Sequence, residues 1–341
     1  MKDKLSRIKF NYTYVLVGLF ALVFILFTIL RGNTFLRYEV WYAMIRQFPE
    51  FGVMAMAIML CFVGGKIDIS FIALGNLSVI TGILVVTEVL GMEGMPAVLL
   101  IILIALCIGM IGGFINGSLI SRLNIPPILA TLSTHMIYRG ITVGITDGHA
   151  VSGIPPEFSH MIRQTTVFGM RIVPLLVFLA IFFFVAFMLK YTTFGKTLYM
   201  MGSNPKATVF SAINTTKITT LTFMLAGLIT TIGTLLMVAS LSSTKADHGM
   251  SYLMRVILIL VLAGVLPIGG LGKARNVLIS IITIQVISSG VNMFPELNVF
   301  YRDLISAALL LVVLVVTSYM VGERKKRKVV VEDITKGESP G

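Results

Sequence analysis

Residues 64–71 read GGKIDISF, with Lys66 and Asp68 set two apart between long apolar runs. A carboxylate there can cap a helix by accepting backbone N–H groups, or it can offer charge and hydrogen bonds to a polar solute. A charge at a bilayer centre costs roughly 2.5–3.5 kcal/mol on insertion scales, so its position needs an explanation. Two readings stand open. In the first, Gly64-Gly65 ends a helix in a short cytoplasmic connection, Lys66 snorkels, and Asp68 caps a helix whose first turn begins at Ile69. In the second, the helix is discontinuous beside a transport path, where exposed backbone groups are tolerated because they line a cavity.

A second polar group lies in LATLSTHMIYRG (129–140). Thr131 and His135 are four apart and share a helix face. Ser133 belongs to the same segment, and Arg139 continues it toward the outside, where it can meet an external partner or Glu157. No HExxH, GxSxG or paired carboxylates accompany His135, so helix packing or pore lining is expected of it rather than catalysis. The FGKT at 194–197 has the ending of a phosphate-binding loop. The Gly required five positions before Gly195 is Lys190, however, and no strand precedes it. This polypeptide is not expected to hydrolyse ATP. Cys61 and Cys107 sit in apolar runs with no CxxC spacing, which predicts inert thiols. No catalytic residue, metal or cofactor is expected.

The elements that must position these residues follow from composition. The 341 residues are 57% hydrophobic and 12% charged, with mean hydropathy +0.96. A soluble domain carries about a quarter charged residues. Several runs exceed the ~20 residues that cross a bilayer core. An all-α polytopic membrane protein is expected, with about ten spans near 12–31, 47–64, 71–90, 96–120, 125–145, 171–190, 217–240, 252–267, 275–294 and 300–321. The second, with Pro49 near its start, and the eighth, ending in VLPIGG, read as short or interrupted. The first run is longer than a signal-peptide core and lacks a small-residue cleavage site, so it reads as a retained span. Asn76, Asn116 and Asn292 are costly to bury in lipid and are expected to face an interior cavity or a partner helix.

The net charge of +12 does not indicate a nucleic-acid partner, because the basic residues sit at the chain ends and in short connections. With Lys2, Lys4, Arg7 and Lys9 in the cytoplasm, an even number of spans returns the tail ERKKRK (323–328) to the same side. Inside connections then hold Lys66, Arg122, Lys190, Lys196, Lys206, Lys217, Lys273 and Arg275. Outside ones hold Glu88, Glu93, Asp147, Glu157 and Glu296, with Arg31, Arg37, Arg163 and Lys245 as exceptions. Residues 1–322 form one transmembrane domain, and 323–341 a basic cytoplasmic tail without fixed structure. The longest inside connection, 190–217, offers a cap at Ser203 or Asn204, then Pro205 at a first helical position. A short amphipathic helix follows, with Val209, Phe210 and Ile213 as anchors. It can dock on a protein partner or lie on lipid.

Five stretches, in order, carry a resemblance. GGKIDIS is similar to the Gly-Ile-Asp-Leu-Ser signature of permease subunits of ATP-binding-cassette sugar importers, the branch with ribose and autoinducer-2 permeases. IPPILATLSTHMIYRGI (125–141), HAVSGIPPEF (149–158), TTFGKTLYMMGSNPKATVFSAIN (192–214) and LAGVLPIGGLGKARNVL (262–278) resemble that family's following motifs. The resemblance implies a permease in a bacterial cell membrane, with both termini cytoplasmic and one or two discontinuous helices. It implies three partners: separate ATPase subunits, an extracytoplasmic solute-binding protein, and a second permease copy or a paralogue. It adds weight to Asp68 and Ser70, beside Asn76, Asn116, Thr131, Ser133, His135 and Arg139, as the translocation path or its gate. It also makes 190–217 the ATPase-coupling loop, with Gly195, Gly202, Asn204, Pro205, Ala207, Phe210, Ser211 and Ile213. Departures exist: Phe71-Ile72 replaces the usual Val-Gly or Phe-Gly, and SYLMRV (251–256) lacks the acidic residues of ribose-type members. IDISF, FSAI and DHGMSYLM are closer to the autoinducer-2 pattern. The solute expected is a pentose, another monosaccharide or an autoinducer-2-like molecule. The rival reading is a self-sufficient secondary transporter or channel, which needs intramembrane charges that these spans nearly lack.

Overall fold

A computed structural model describes residues 12–315 apart from 153, 164–165, 168–169, 295, 297, 299–300, 302–303, 306, 309–310 and 313–314; over 161–171 it describes the backbone alone. The basic N-terminal segment, the Arg163 side chain and the tail at 323–341 lie outside the described residues. In chain order the elements are α1 (Tyr12–Phe35), α2 (Tyr38–Val63), α3 (Phe71–Leu84) with a π-helical turn (Val85–Val89), α4 (Gly94–Ser121), α5 (Pro127–Thr146) and α6 (Pro156–Arg163). A two-residue hairpin follows, β1 (Thr166–Val167) with β2 (Met170–Arg171). Then come α7 (Val173–Tyr191), α8 (Thr193–Ser203), α9 (Pro205–Phe210), α10 (Thr215–Leu241), α11 (Met250–Leu262) and α12 (Ala274–Asn292).

Seven of these are long and apolar enough to cross a membrane: α1, α2, α3 with its π turn, α4, α7, α10 and α12. The 20-residue helix α5, which is not among those seven, occupies the place expected of the fifth span. The described positions between 301 and 315 are helical where the tenth was expected. The protein is thus a nearly all-helical, multi-pass membrane protein.

Two expectations about interruption have different outcomes. The second span is not broken: α2 is a continuous 26-residue helix with Pro49 inside it. The proline removes one backbone hydrogen bond without ending the helix, as packed membrane helices allow, and it is buried. The eighth is interrupted as expected. α11 has 13 residues, about 20 Å at 1.5 Å per residue, well short of the ~30 Å hydrocarbon core. The chain before it, 242–249, turns at left-handed Ser242 and Gly249 (φ 57° and 73°). It is pinned to 151 by a bridge, Val151 N to Thr244 O at 2.8 Å and Thr244 N to Val151 O at 3.0 Å.

The chain divides into two units, 37–281 and 1–36 with 282–341. In the first, α10 is the central helix, packed on α4, α2 and α3. The small residues of IGMIGGFINGSLIS and TLTFMLAGLITTIGTLL meet there. Gly109 faces Gly227, and Gly113 faces the Phe223 backbone so closely that a side chain would overlap the carbonyl. Such contacts replace the hydrophobic driving force that lipid removes. In the second unit α1 kinks at Arg31 (φ −144°, ψ 35°). The Arg31 guanidinium lies 3.4 Å from Glu296 Oε1 and over the Phe294 ring.

Candidate functional site

GGKIDIS is an extended connection from the end of α2 to Phe71, where α3 begins. The helix therefore starts two residues later than expected, and Asp68 is not its cap residue. Asp68 instead closes a turn ahead of it: its Oδ1 accepts the Ser70 backbone N–H at 2.8 Å and the Ser70 hydroxyl at 2.7 Å. Asn116 on α4 donates Nδ2 to Ser70 Oγ at 2.7 Å, and the Tyr138 hydroxyl on α5 donates to Gly112 O at 3.1 Å and to Asn116 Oδ1 at 3.4 Å. Three helix segments are thus tied through one buried chain of polar groups. Burial pushes the Asp68 carboxyl up from 3.8 to about 6, with the Ser70 hydrogen bonds holding it down. Burial likewise pushes the Lys66 amine down.

A second polar group sits along α3 and α5. Asn76 donates Nδ2 to Ala246 O at 3.0 Å and to His248 O at 2.8 Å. The 242–249 loop therefore folds back to meet α3 in the bundle. His135 reaches the backbone of Ile69, and Arg139 Nε lies 2.7 Å from Asp247 Oδ1. That bond from Arg139 holds the Asp247 carboxyl below its ordinary range. Burial pushes the His248 imidazole down. Four buried polar atoms in or beside this loop have no hydrogen-bond partner among the described residues: Asn76 Oδ1, His135 Nδ1, Thr244 Oγ1 and His248 Nδ1. Buried polar groups are ordinarily satisfied, so these atoms make the surroundings of the loop the candidate place for a polar ligand.

Most expected path residues fall in these two groups. Thr131 is buried, its hydroxyl donating to Pro127 O at 2.8 Å and Ile67 O at 3.4 Å. Ser133 does not join them. It is exposed with Leu132, Met136 and Ile137, because two residues along a helix is a rotation of about 200°. Arg139 pairs with Asp247 rather than Glu157. Thr134, Tyr138 and Thr142, buried on the Thr131 face, were missed. So was Glu50, buried inside α2, whose Oε2 accepts the Tyr252 hydroxyl at 3.0 Å; the Arg255 guanidinium lies over the Phe51 and Tyr252 rings. The spans are less bare of charge than the sequence suggested. Asn292 closes α12.

The 190–217 connection holds α8 and α9. Asn204, rather than Ser203, caps α9, with Oδ1 accepting the Ala207 N–H at 3.0 Å, and Pro205 takes the first helical position. Phe210 is 90% exposed and Val209 57%, Ser211 is exposed and Ile213 half-buried. Gly195 packs on the Met188 and Leu189 backbone. Gly202 lies against Val63 and Gly269, and Gly270 N donates to Val63 O at 2.9 Å. Only residues without side chains let these backbones touch. The GGKIDIS connection, the end of α8 and the VLPIGG turn therefore form one joint.

Comparison with known proteins supplies the wider frame. A family model described as the permease component of a branched-chain amino acid transport system matches residues 41–314. The ribose import permease protein of Bacillus subtilis is 28% identical over 316 residues, 92% of this chain and 95% of that protein. The autoinducer 2 import system permease protein of Yersinia enterocolitica is 28% identical over 269 residues, 77% of this chain and 78% of its own. Its Escherichia coli (strain SMS-3-5) counterpart is 29% identical over 271 residues, 77% and 79%. No solved structure matches the chain.

Proposed function

Since the chain belongs to the permease family whose model covers residues 41–314, we propose that it forms the translocation path of an ATP-binding-cassette importer for an uncharged, polyhydroxylated solute. The observation that carries the solute class is the set of buried, unpartnered polar atoms in and beside the 242–249 loop, Asn76 Oδ1, His135 Nδ1, Thr244 Oγ1 and His248 Nδ1. Nearby, Arg139 and Asp247 neutralise each other, which leaves amide and imidazole groups facing the solute. Such a lining suits sugar hydroxyls. The named relatives import ribose and autoinducer 2, and either chemistry fits.

Energy comes from separate ATPase subunits that dock on α9, with Phe210 as the anchor and the glycine joint carrying the motion to GGKIDIS. An external binding protein delivers the solute on the side of 147–172, both termini being cytoplasmic, and a second copy or a paralogue completes the pathway. Residues 1–322 act as one permease domain. The rival, an ion-coupled transporter working alone, draws on buried Glu50 with Tyr252. Glu50 is a single carboxylate bonded to Tyr252, whose ring the Arg255 guanidinium covers, which favours a structural role.

The test is uptake of ribose and autoinducer 2 by the reconstituted complex with Asn76→Leu and His248→Leu. Lower uptake with ATPase assembly intact supports the path. Unchanged uptake in both variants would place it elsewhere.

A further inference from the structure

A cavity of about 640 Å³ opens where the last turns of α7 meet the first turn of α12. One wall is apolar and comes from α7, where Phe182, Ala186 and Leu189 follow each other at helical spacing. The rim carries Lys190, Lys273 and Arg275. Tyr199 of α8 also lines the cavity and donates its hydroxyl to Gly272 O at 2.7 Å. None of the three cations has an acidic partner among the described residues; the two ion pairs there lie elsewhere. The Lys190 ammonium rests 4.7 Å from the centroid of the Tyr191 ring. Arg275 is the second residue of α12, where the helix N-terminus adds to the positive field.

Three cations at the end of a span, above an apolar wall, match the two halves of a phospholipid. A free anion would use the cations and leave the wall in water. An acidic protein segment would do the same. The flank of α7 beside the cavity is lipid-like in character, with Phe183, Phe184 and Phe187 exposed, so an acyl chain laid along Phe182, Ala186 and Leu189 continues a surface that already meets hydrocarbon. We propose that this cavity binds an anionic phospholipid of the leaflet on the α8–α9 side. Its phosphate is held by Lys190, Lys273 and Arg275. The lipid bridges α7 to α12 beside the helix that leads into the coupling segment.

The full-length permease, with and without its ATPase subunits, is extracted from vesicles of equal phosphatidylglycerol and phosphatidylcholine, and retained lipid is read by native mass spectrometry. Phosphatidylglycerol should be retained over phosphatidylcholine by roughly a hundredfold, a preference of the size that three surface cations supply. Replacing Lys190, Lys273 and Arg275 together by Ala should bring the ratio back to that of the vesicle. Ala186→Trp keeps every charge and fills the apolar wall; it should lower retention too, and it carries the test if the triple variant fails to insert. Glycerol phosphate in solution should not displace the lipid. An unchanged ratio in the inserted variants overturns the proposal. Displacement by glycerol phosphate overturns it in favour of a free-anion site. Retention only when the ATPase is absent overturns it in favour of a protein contact.

Discussion

Asn76 on α3 donates one side-chain amide to two backbone carbonyls, Ala246 at 3.0 Å and His248 at 2.8 Å, across 170 and 172 residues of sequence. The 242–249 loop precedes the short α11, and its Ala246 and His248 carbonyls are met by this side chain. A buried carbonyl left without a donor costs about 1–3 kcal/mol. Asn76→Leu should lower stability by that order in thermal unfolding of the detergent-solubilised protein. Asn76→Asp, ionised and without a donor, should do no better. A leucine variant as stable as the parent would show that the loop is held by other contacts.

Arg139 and Asp247 make the neighbouring tie, and both side chains are 49% exposed. An exposed pair contributes at most about 1 kcal/mol, so Arg139→Ala should scarcely change the unfolding temperature. The Asp247 carboxyl is held below its ordinary value by the Arg139 hydrogen bond. What the pair contributes is therefore present above the ordinary carboxylate pKa, near 4, and fades as pH falls through the lower folded value. Uptake should fall in Arg139→Ala and recover in the exchange Arg139→Asp with Asp247→Arg. No recovery would make Arg139 act through something other than this partner.

Asp68 is tested by charge and shape separately. Lys66→Ala should be mild. Asp68→Ala removes both Ser70 bonds, loosens the Asn116–Tyr138 chain and should be severe for uptake. Asp68→Asn keeps an acceptor but loses the charge, so survival of uptake with Asn alone would make Asp68 structural. Its folded pKa is raised from 3.8 to about 6, so the folded protein holds the proton more tightly. Stability should fall as pH rises from about 4 to about 6, and Asp68→Asn should remove that part of the slope. Identical slopes for the two proteins would contradict the shift.

The coupling segment separates folding from docking. Asn204→Ala deletes a cap of about 1 kcal/mol and should fray α9. Ala207→Pro removes the N–H that Asn204 accepts and should abolish ATPase association. Phe210 is 90% exposed, so Phe210→Ala leaves the permease as stable as before while weakening co-purification of the ATPase. Full co-purification of the Phe210 variant would move the docking surface elsewhere.

Helical periodicity and local chemistry were legible in the sequence. The Asn204–Pro205 start of α9 follows from capping alone, and the glycine-rich stretches of α4 and α10 meet as small residues should. Ser133 was misplaced although the same periodicity puts it opposite Thr131; the spacing that excludes it points to Thr134 and Tyr138, three and seven residues on. The partners of Asn76 and Arg139 were not legible. They lie on a loop whose return into the bundle depends on a 13-residue α11, and no local pattern announces a contact across 170 residues. Glu50 was hidden for a similar reason. Pro49 suggested a helix end, whereas α2 continues through it and carries the carboxylate inside to Tyr252.

The central claim is that this chain provides a path and draws its energy from another polypeptide. The most direct measurement is accumulation of labelled ribose or autoinducer 2 in proteoliposomes containing the permease, its binding protein and ATPase subunits, with the ATPase active, inactivated in its catalytic carboxylate, or omitted. Accumulation should occur only with the active ATPase and should stop when ATP is withheld, whatever proton or sodium gradient is imposed. Accumulation driven by an ion gradient with the permease alone, abolished by Glu50→Gln, would contradict the account.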